Sequence, residues 1–339
     1  MIQDITHLED LLSQPTPGVV DTMRRLEGDL LVLGVGGKIG PSLARMARRA
    51  DEEAGRRRRI IGVARFSSPG LREQLEGWGL ETIACDLLDR SALAALPDVP
   101  NILYLPAQKF GTTGQEGRTW AMNTYLAGMV CERYPQSRIV AYSTGNVYPL
   151  TPVDSGGPDE DTPLAPVGEY GMSAMGRERM FQYFSEKSGI PVAIVRLNYA
   201  VEMRYGVLVD IGQKVLAGQP VDVTMGHFNV IWQGDSSAMT LRCFDHVASP
   251  PFVVNVTGLE TLSIRYCAEE FAEQMGRDVS FVGEEAETAL LSDADRAHDL
   301  FGPATVSVEQ MIEWISDWLL RGGDTHNKPT HFQARDGKF

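Results

Sequence analysis

The run Leu30-Leu31-Val32-Leu33-Gly34-Val35-Gly36-Gly37-Lys38-Ile39-Gly40 has the residue types and spacing to hold a pyrophosphate. Four apolar residues suit a buried strand, and a helical run, Pro41-Ser42-Leu43-Ala44-Arg45-Met46-Ala47, follows the glycines. Glycines at 34, 37 and 40 spell GxxGxxG. The commoner GxGxxG would put glycine at 39, where Ile39 stands. The physics of the two spacings is shared: one glycine permits the tight turn, one lets backbone approach the phosphates, and one lets helix pack on strand. The helix N-terminus adds N–H groups and a positive dipole. A ligand-free βα turn is the bland alternative. Polar residues at later strand ends extend the site. Arg65-Phe66-Ser67-Ser68 follows the second strand, where an acidic residue would hold a ribose 2′-hydroxyl; Arg65 and two serines suit a 2′-phosphate instead, leaning to NADP over NAD. Arg65 stacked on adenine or turned to solvent would leave either cofactor open. Asp86 and Leu87 stand where an adenine amino group is expected, and Leu105, Pro106, Ala107 and Lys109 bring small residues and one cation to the next strand end.

These residues need a scaffold that gathers strand ends. Apolar strands are expected at Leu30-Leu33, Ile60-Ala64, Glu81-Ala84, Asn101-Leu105, Ile139-Ser143, Val192-Leu197 and Phe252-Val256. Helical patterns alternate with them at Pro41-Ala54, Pro69-Trp78, Arg90-Leu96, Thr119-Tyr134 and Tyr170-Lys187. Such alternation predicts an α/β fold, a Rossmann-type doubly wound parallel sheet with ligands beyond the carboxyl ends of its strands. The expected division is an N-terminal extension (1–28), a dinucleotide-binding domain (29–197), a smaller mixed lobe with the last sheet strands (198–321) and a tail (322–339). In the extension, Leu8, Leu11 and Leu12 suit one face of a short helix that Pro15 and Pro17 end. Trp314, Ile315, Trp318 and Leu319 give a final amphipathic helix. A polar terminus is disordered by default. Phe332 and Phe339 beside Arg335 and Lys338 leave open that it folds back over the site or a neighbour.

Composition narrows the partners. A formal net charge of −14 over 339 residues argues against nucleic acid, whose binding rests on clustered Lys and Arg. Cys85, Cys131, Cys243 and Cys267 are scattered, without metal-ligand spacing, and read as reduced buried thiols; no metal is expected. The acidic start (Asp4, Glu9, Asp10) has no apolar leader, and no apolar run suits a membrane span, so a soluble cytoplasmic protein is expected.

The fifth strand ends Ser143-Thr144-Gly145-Asn146-Val147-Tyr148. Thr162-Pro163-Leu164-Ala165-Pro166 and then Tyr170-Gly171-Met172-Ser173 follow. With the glycine turn, these motifs resemble the extended short-chain dehydrogenase/reductase family, the NAD-dependent epimerase/dehydratase group, from about Leu30 to about Leu319. The resemblance implies that Tyr170 is the general acid/base and that Thr144 hydrogen-bonds the substrate hydroxyl. It also implies a lysine four residues after the tyrosine, and Ala174 stands there. A tyrosine without a nearby cation titrates near pH 10, which makes a poor base at neutrality. Lys109 is one replacement; a reaction using Tyr170 only as an acid is another, and a catalytically silent dinucleotide sensor is a third. Tyr183-Phe184-Ser185-Glu186-Lys187 also spells YxxxK, but more than three helical turns further on, and is set aside.

The resemblance also bears on the substrate. Sugar-nucleotide members of the family carry an arginine before the last strand-end Asp, where it grips the diphosphate. The comparable segment, Gly226 to Asp235, has Phe228 at that place. A small sugar, sugar acid or polyol is therefore favoured, with a nucleotide-sugar epimerase or dehydratase as the alternative. Leu197 is expected against the cofactor, and Asn146, Asn198, Tyr199, Arg204 and Trp232 on the substrate side, although Trp232 suits ordinary core as well. Arg177 is a further candidate for a carboxylate or phosphate. A homodimer is expected through the helices at Thr119-Tyr134 and Tyr170-Lys187, with Trp120, Tyr125, Met129, Met180 and Phe184 as apolar faces, which one chain can also cover by itself.

Overall fold

The computed structural model describes residues 1–109, 111 and 114–338. Its seven-stranded sheet comprises β1 (Leu30–Leu33), β2 (Ile60–Ala64), β3 (Glu81–Ala84), β4 (Asn101–Tyr104), β5 (Arg138–Thr144), β6 (Val192–Leu197) and β7 (Phe252–Val256). Every pairing in it is parallel, in the order β7-β6-β5-β4-β1-β2-β3. The chain order reverses between β1 and β4, which places a ligand crevice beyond their carboxyl ends. A sheet covered on both faces needs apolar residues without alternation, and all four residues of β1 are inaccessible. Leu30 and Val32 join the core on one face; Leu31 and Leu33 join that on the other.

The helices that matter for the site are α1 (Ile5–Leu12), α2 (Pro17–Arg25), α3 (Gly40–Glu53), α4 (Gly168–Ser188), α5 (Val207–Leu216), α6 (Gln233–Arg242), α7 (Ile264–Met275) and α8 (Val308–Leu320). Pro17 opens α2 at its first turn, with Thr16 as cap, because a missing N–H costs nothing there. Helix α2 packs Val19, Val20 and Met23 into the sheet core with α3, while Leu8 and Leu12 of α1 enter a second core built largely from α5, α7 and α8. Between β4 and β5, Glu116–Trp120 and Leu126–Arg133 are joined by a π-helical turn, Ala121–Tyr125. Met129 is buried, and Gly128 lies against Met180 and Phe184 within the chain; Trp120 and Tyr125 stay exposed.

The tail departs from the expectation of disorder. Asp324 O accepts from Trp318 Nε1 (3.0 Å), His326 N donates to Arg204 O (2.9 Å), and Phe332 is buried in the second core. Arg335 then grips the carbonyl and hydroxyl of Thr288 at 2.6 Å each. Isolated anchors spaced along a polar segment order it without any periodic pattern for a sequence reading to find. Phe339 lies outside the described residues. Among those residues no helix is long and apolar enough to cross a membrane, and all four cysteines are buried and unpaired.

Candidate active site

The glycine turn divides its labour. Gly34 sits at φ +77°, and a Cβ there would lie 2.9 Å from the Pro106 nitrogen. A Cβ on Gly40 would meet the Val35 carbonyl oxygen at 2.2 Å, so this glycine lets α3 seat on the turn. Gly37 meets nothing closer than 3.6 Å. It leaves open the space where backbone can approach a ligand. Ile39 gives α3 no side-chain cap, which suits a helix start whose N–H groups face an anion.

A cleft of about 470 Å³ runs from this turn, lined by Gly34, Gly36, Gly37, Arg65, Phe66, Ser67, Ser68, Asp86, Leu87, Leu105, Pro106 and Ala107. Phe66 holds the left-handed conformation (φ +49°), uncommon for an aromatic residue, at the turn after β2. Asp86 Oδ1 accepts from Leu88 N (3.1 Å). Arg177, expected as a substrate cation, is instead buried behind this cleft, donating from Nη1 to the Pro106 carbonyl at 3.1 Å.

A second cavity, of about 190 Å³, opens on the other side of the turn. Lys38, Ile39, Lys109, Thr144, Asn146, Tyr170, Leu197, Asn198, Tyr199, Tyr205, Gln233 and Thr330 all line it. The strand-end hydroxyl, the tyrosine and Lys109 are thus gathered from three separate segments. Thr144 Oγ1 accepts from Asn146 N at 3.2 Å. Tyr170 projects from the first turn of α4. The two segments are locked together below the cavity: Glu178 of α4 accepts from Ser143 and pairs with Arg196 of β6 at 2.8 Å. Arg196 Nη1 also donates to Tyr148 Oη (2.7 Å), whose hydroxyl donates to Asn255 of β7 (2.8 Å).

Asn123, in the π-helical turn, went unnoticed in the sequence. Its Nδ2 donates to the Gln108 carbonyl (3.1 Å) and Ser173 Oγ (2.9 Å), and its Oδ1 accepts from Gln108 N (2.7 Å). One buried amide therefore fixes the segment carrying Lys109 against the turn carrying Tyr170. A π turn redirects a side chain without a sequence period to announce it.

Two lysines share the cavity. Lys38, expected beside the phosphates, reaches over the Tyr205 ring, 3.0 Å from its centroid. Burial, reinforced by Lys109, lowers its pKa to about 7. Burial also lowers Lys109 to about 8, and its Nζ lies 5.9 Å from the Tyr199 ring centroid. Ala174 is fully buried against Val147 and Tyr148. The other YxxxK pair is exterior: Tyr183 is 50% exposed, with Lys187 Nζ 5.2 Å from its ring.

One substrate-side expectation is corrected, and of the two readings of Trp232 the core one holds. Arg204 pairs with Glu9 (2.6 Å) and Glu202 (3.0 Å), tying α1 to the second core and lining neither cavity. Trp232 is core: it is 3% exposed and meets Trp314 edge-on at 5.6 Å. Gln233 and Thr330 line the second cavity, and no motif marks either in the sequence.

The sequence profile described as the NAD dependent epimerase/dehydratase family matches residues 30–201. The chain belongs to the NAD-dependent epimerase/dehydratase family. That is a family of enzymes, and the match spans the glycine turn, Thr144 and Tyr170. No curated protein matches the chain in sequence. Solved structures match its fold. UDP-glucuronic acid 4-epimerase from Bacillus cereus, in complex with NAD, has a TM-score of 0.71 at 19% identity, covering 86% of this chain and 99% of its own. The UDP-Glc/GlcNAc 4-epimerase from Campylobacter jejuni has a TM-score of 0.72 at 20% identity, with 86% and 99% covered. The dTDP-glucose 4,6-dehydratase from Bacillus anthracis, in complex with NAD, has a TM-score of 0.72 at 17% identity, with 87% and 97% covered. At these identities the likeness is one of fold. The open face at Gly37, the uncapped start of α3 and the length of cleft beyond it fit the dinucleotide that the epimerase/dehydratase family uses.

Proposed function

We propose that this chain is an NAD(P)-dependent oxidoreductase or epimerase acting on a hydroxyl or carbonyl of a small sugar, sugar acid or polyol. The observation that carries the reading is that Thr144, Tyr170 and Lys109 line one cavity beside the glycine turn. Gly34, Gly36, Gly37, Lys38, Ile39 and Gly40 would seat the dinucleotide's phosphates, Asp86 and Leu87 its adenine, and Leu105, Pro106, Ala107 and Leu197 its remaining length. Bound there, the nicotinamide supplies a site that accepts or returns hydride at the substrate's carbinol carbon. Thr144 holds the substrate oxygen. Tyr170 takes its proton on oxidation and returns it on reduction. Lys109, lining the same cavity, would bring the positive charge that a helix lysine at 174 would otherwise supply. General acid–base catalysis contributes roughly 10²–10⁴-fold, so Tyr170→Phe should cut kcat by about that factor and leave dinucleotide Kd unchanged. Unchanged turnover in that variant overturns the assignment. Product analysis must accompany nicotinamide absorbance, since an epimerase that recycles its cofactor shows no net change.

Arg65, Ser67 and Ser68 at the cleft wall support NADP; a direct comparison of the two dinucleotides by calorimetry decides it, and tighter NAD binding reverses the preference. The nucleotide-sugar alternative draws support from the UDP- and dTDP-sugar enzymes sharing the fold. The proposal includes a cytoplasmic homodimer across residues 116–133 and α4, where Trp120, Tyr125 and Tyr183 are exposed. Sedimentation as a monomer would remove the dimer.

A further inference from the structure

The geometry points to a compact, carboxylate-bearing hydroxy or keto compound as the substrate, held by Lys38, Lys109 and Asn198 and limited in size by Thr330 of the C-terminal tail. This deepens the reading above and rests on it. Three donors face the same small space. Lys38 comes from the glycine turn, Lys109 from the segment after β4 and Asn198 from the end of β6. Asn198 is 3% exposed, and its Nδ2 has no hydrogen-bond partner among the described residues. A buried amide donor without a partner costs stability unless something accepts from it, and an oxygen-rich ligand in the cavity that Asn198 lines can do so. Two ammonium groups beside that donor select for negative charge.

Size is set from the opposite wall. Thr330 is 2% exposed, and both its N–H and its hydroxyl donate to Asp210 Oδ2, at 2.7 and 2.6 Å. Asp210 of α5, whose charge favours that of both lysines, thereby also holds the tail at the cavity wall. Phe332 in the second core and Arg335 on Thr288 anchor the tail beyond it. The cavity left is about 190 Å³. Pockets for drug-sized ligands run to about 300–1,000 Å³, and a nicotinamide ring must share this one. A nucleoside diphosphate would have to displace the tail.

The test uses the dinucleotide-loaded protein with three sets of compounds: short sugar acids and hydroxy acids, the same skeletons with the carboxylate reduced to an alcohol, and UDP- and dTDP-sugars. Binding is read by the shift in melting temperature and turnover by product analysis. At least one acid should bind roughly tenfold or more tightly than its alcohol. At saturating dinucleotide, Lys38→Gln should raise KM for the acid by a similar factor and leave that of its alcohol unchanged, because only the acid presents a carboxylate to the missing charge. Thr330→Trp, which adds bulk and gives up the hydroxyl's bond to Asp210 but keeps the backbone N–H bond and the Phe332 and Arg335 anchors, should weaken the acid and spare the dinucleotide. Equal binding of acid and alcohol, preference for a nucleotide sugar, or no binding in any set overturns the inference. A nucleotide sugar turned over through Tyr170 overturns it while leaving the oxidoreductase reading intact; an acid bound tightly but never turned over does the reverse.

Discussion

Lys38 and Lys109 carry a cost that pH should expose. Both titrate well below an ordinary lysine, near pH 7 and 8, chiefly because burial penalises their charge. Lys109 and Lys328 oppose the charge on Lys38, and Asp210 and Glu202 favour it; Asp210 also favours that on Lys109. Between the folded pKa and the ordinary value of about 10.4, the unfolded chain binds more protons than the folded one, so stability rises with pH. The rise should start near pH 7 and continue to about pH 9. Above that, the buried thiols reverse the sign: burial pushes Cys131 and Cys267 up to about 12, so the folded state then holds more protons. Urea midpoints across this range should show the rise, and Lys38→Met should flatten it. Substrate affinity should run the other way, falling through pH 7–8 as the lysines lose charge. At the same scale, Gly40→Ala forces a Cβ against the Val35 carbonyl. Relief requires the turn to move, so the variant should lose dinucleotide affinity by calorimetry as well as thermal stability.

Among elements, the joint between α4 and the strand ends matters most. Arg196 and Glu178 are nearly inaccessible; Ser143 donates to Glu178, and Arg196 donates to Tyr148, whose hydroxyl reaches Asn255 of β7. Breaking a buried pair strands a charge, which costs about 3–5 kcal/mol. Arg196→Met should therefore lose stability of that order in denaturant melts and displace Tyr170 from Thr144. The inner strands were legible in the sequence because burial on both faces leaves runs such as Leu30-Leu31-Val32-Leu33 wholly apolar, whereas the edge strand β3 is largely exposed. The glycine turn, Thr144 and Tyr170 were legible because each sits at a strand or helix end with its own motif. Short segments of the second lobe, such as His227–Phe228 and Leu262–Ser263, are too brief to show a period. Arg204 misled for a related reason: Glu9, one of its two carboxylate partners, lies far off in sequence. Asn123 was hidden by its π turn, and Thr330 by a tail whose order depends on anchors that no local pattern encodes.

At the scale of the whole molecule, α1 and the described part of the tail both close on the second core. Ile2, Leu8 and Leu12 share that core with Phe332, and Arg321 Nη2 donates to the Ile2 carbonyl at 2.6 Å. Large-to-small changes in a core cost about 2–5 kcal/mol, so Leu8→Ala, though far from either cavity in sequence, should destabilise the lobe by that order in denaturant melts. The arrangement has a consequence for how the protein is made. Synthesis runs from the amino end, so α1 leaves the ribosome long before α5, α7 and α8 exist to receive it, and its apolar face must wait uncovered. The tail is made later than any of these helices. A nascent chain can complete its dinucleotide turn early, while the pocket beside it lacks a wall until Thr330 reaches Asp210.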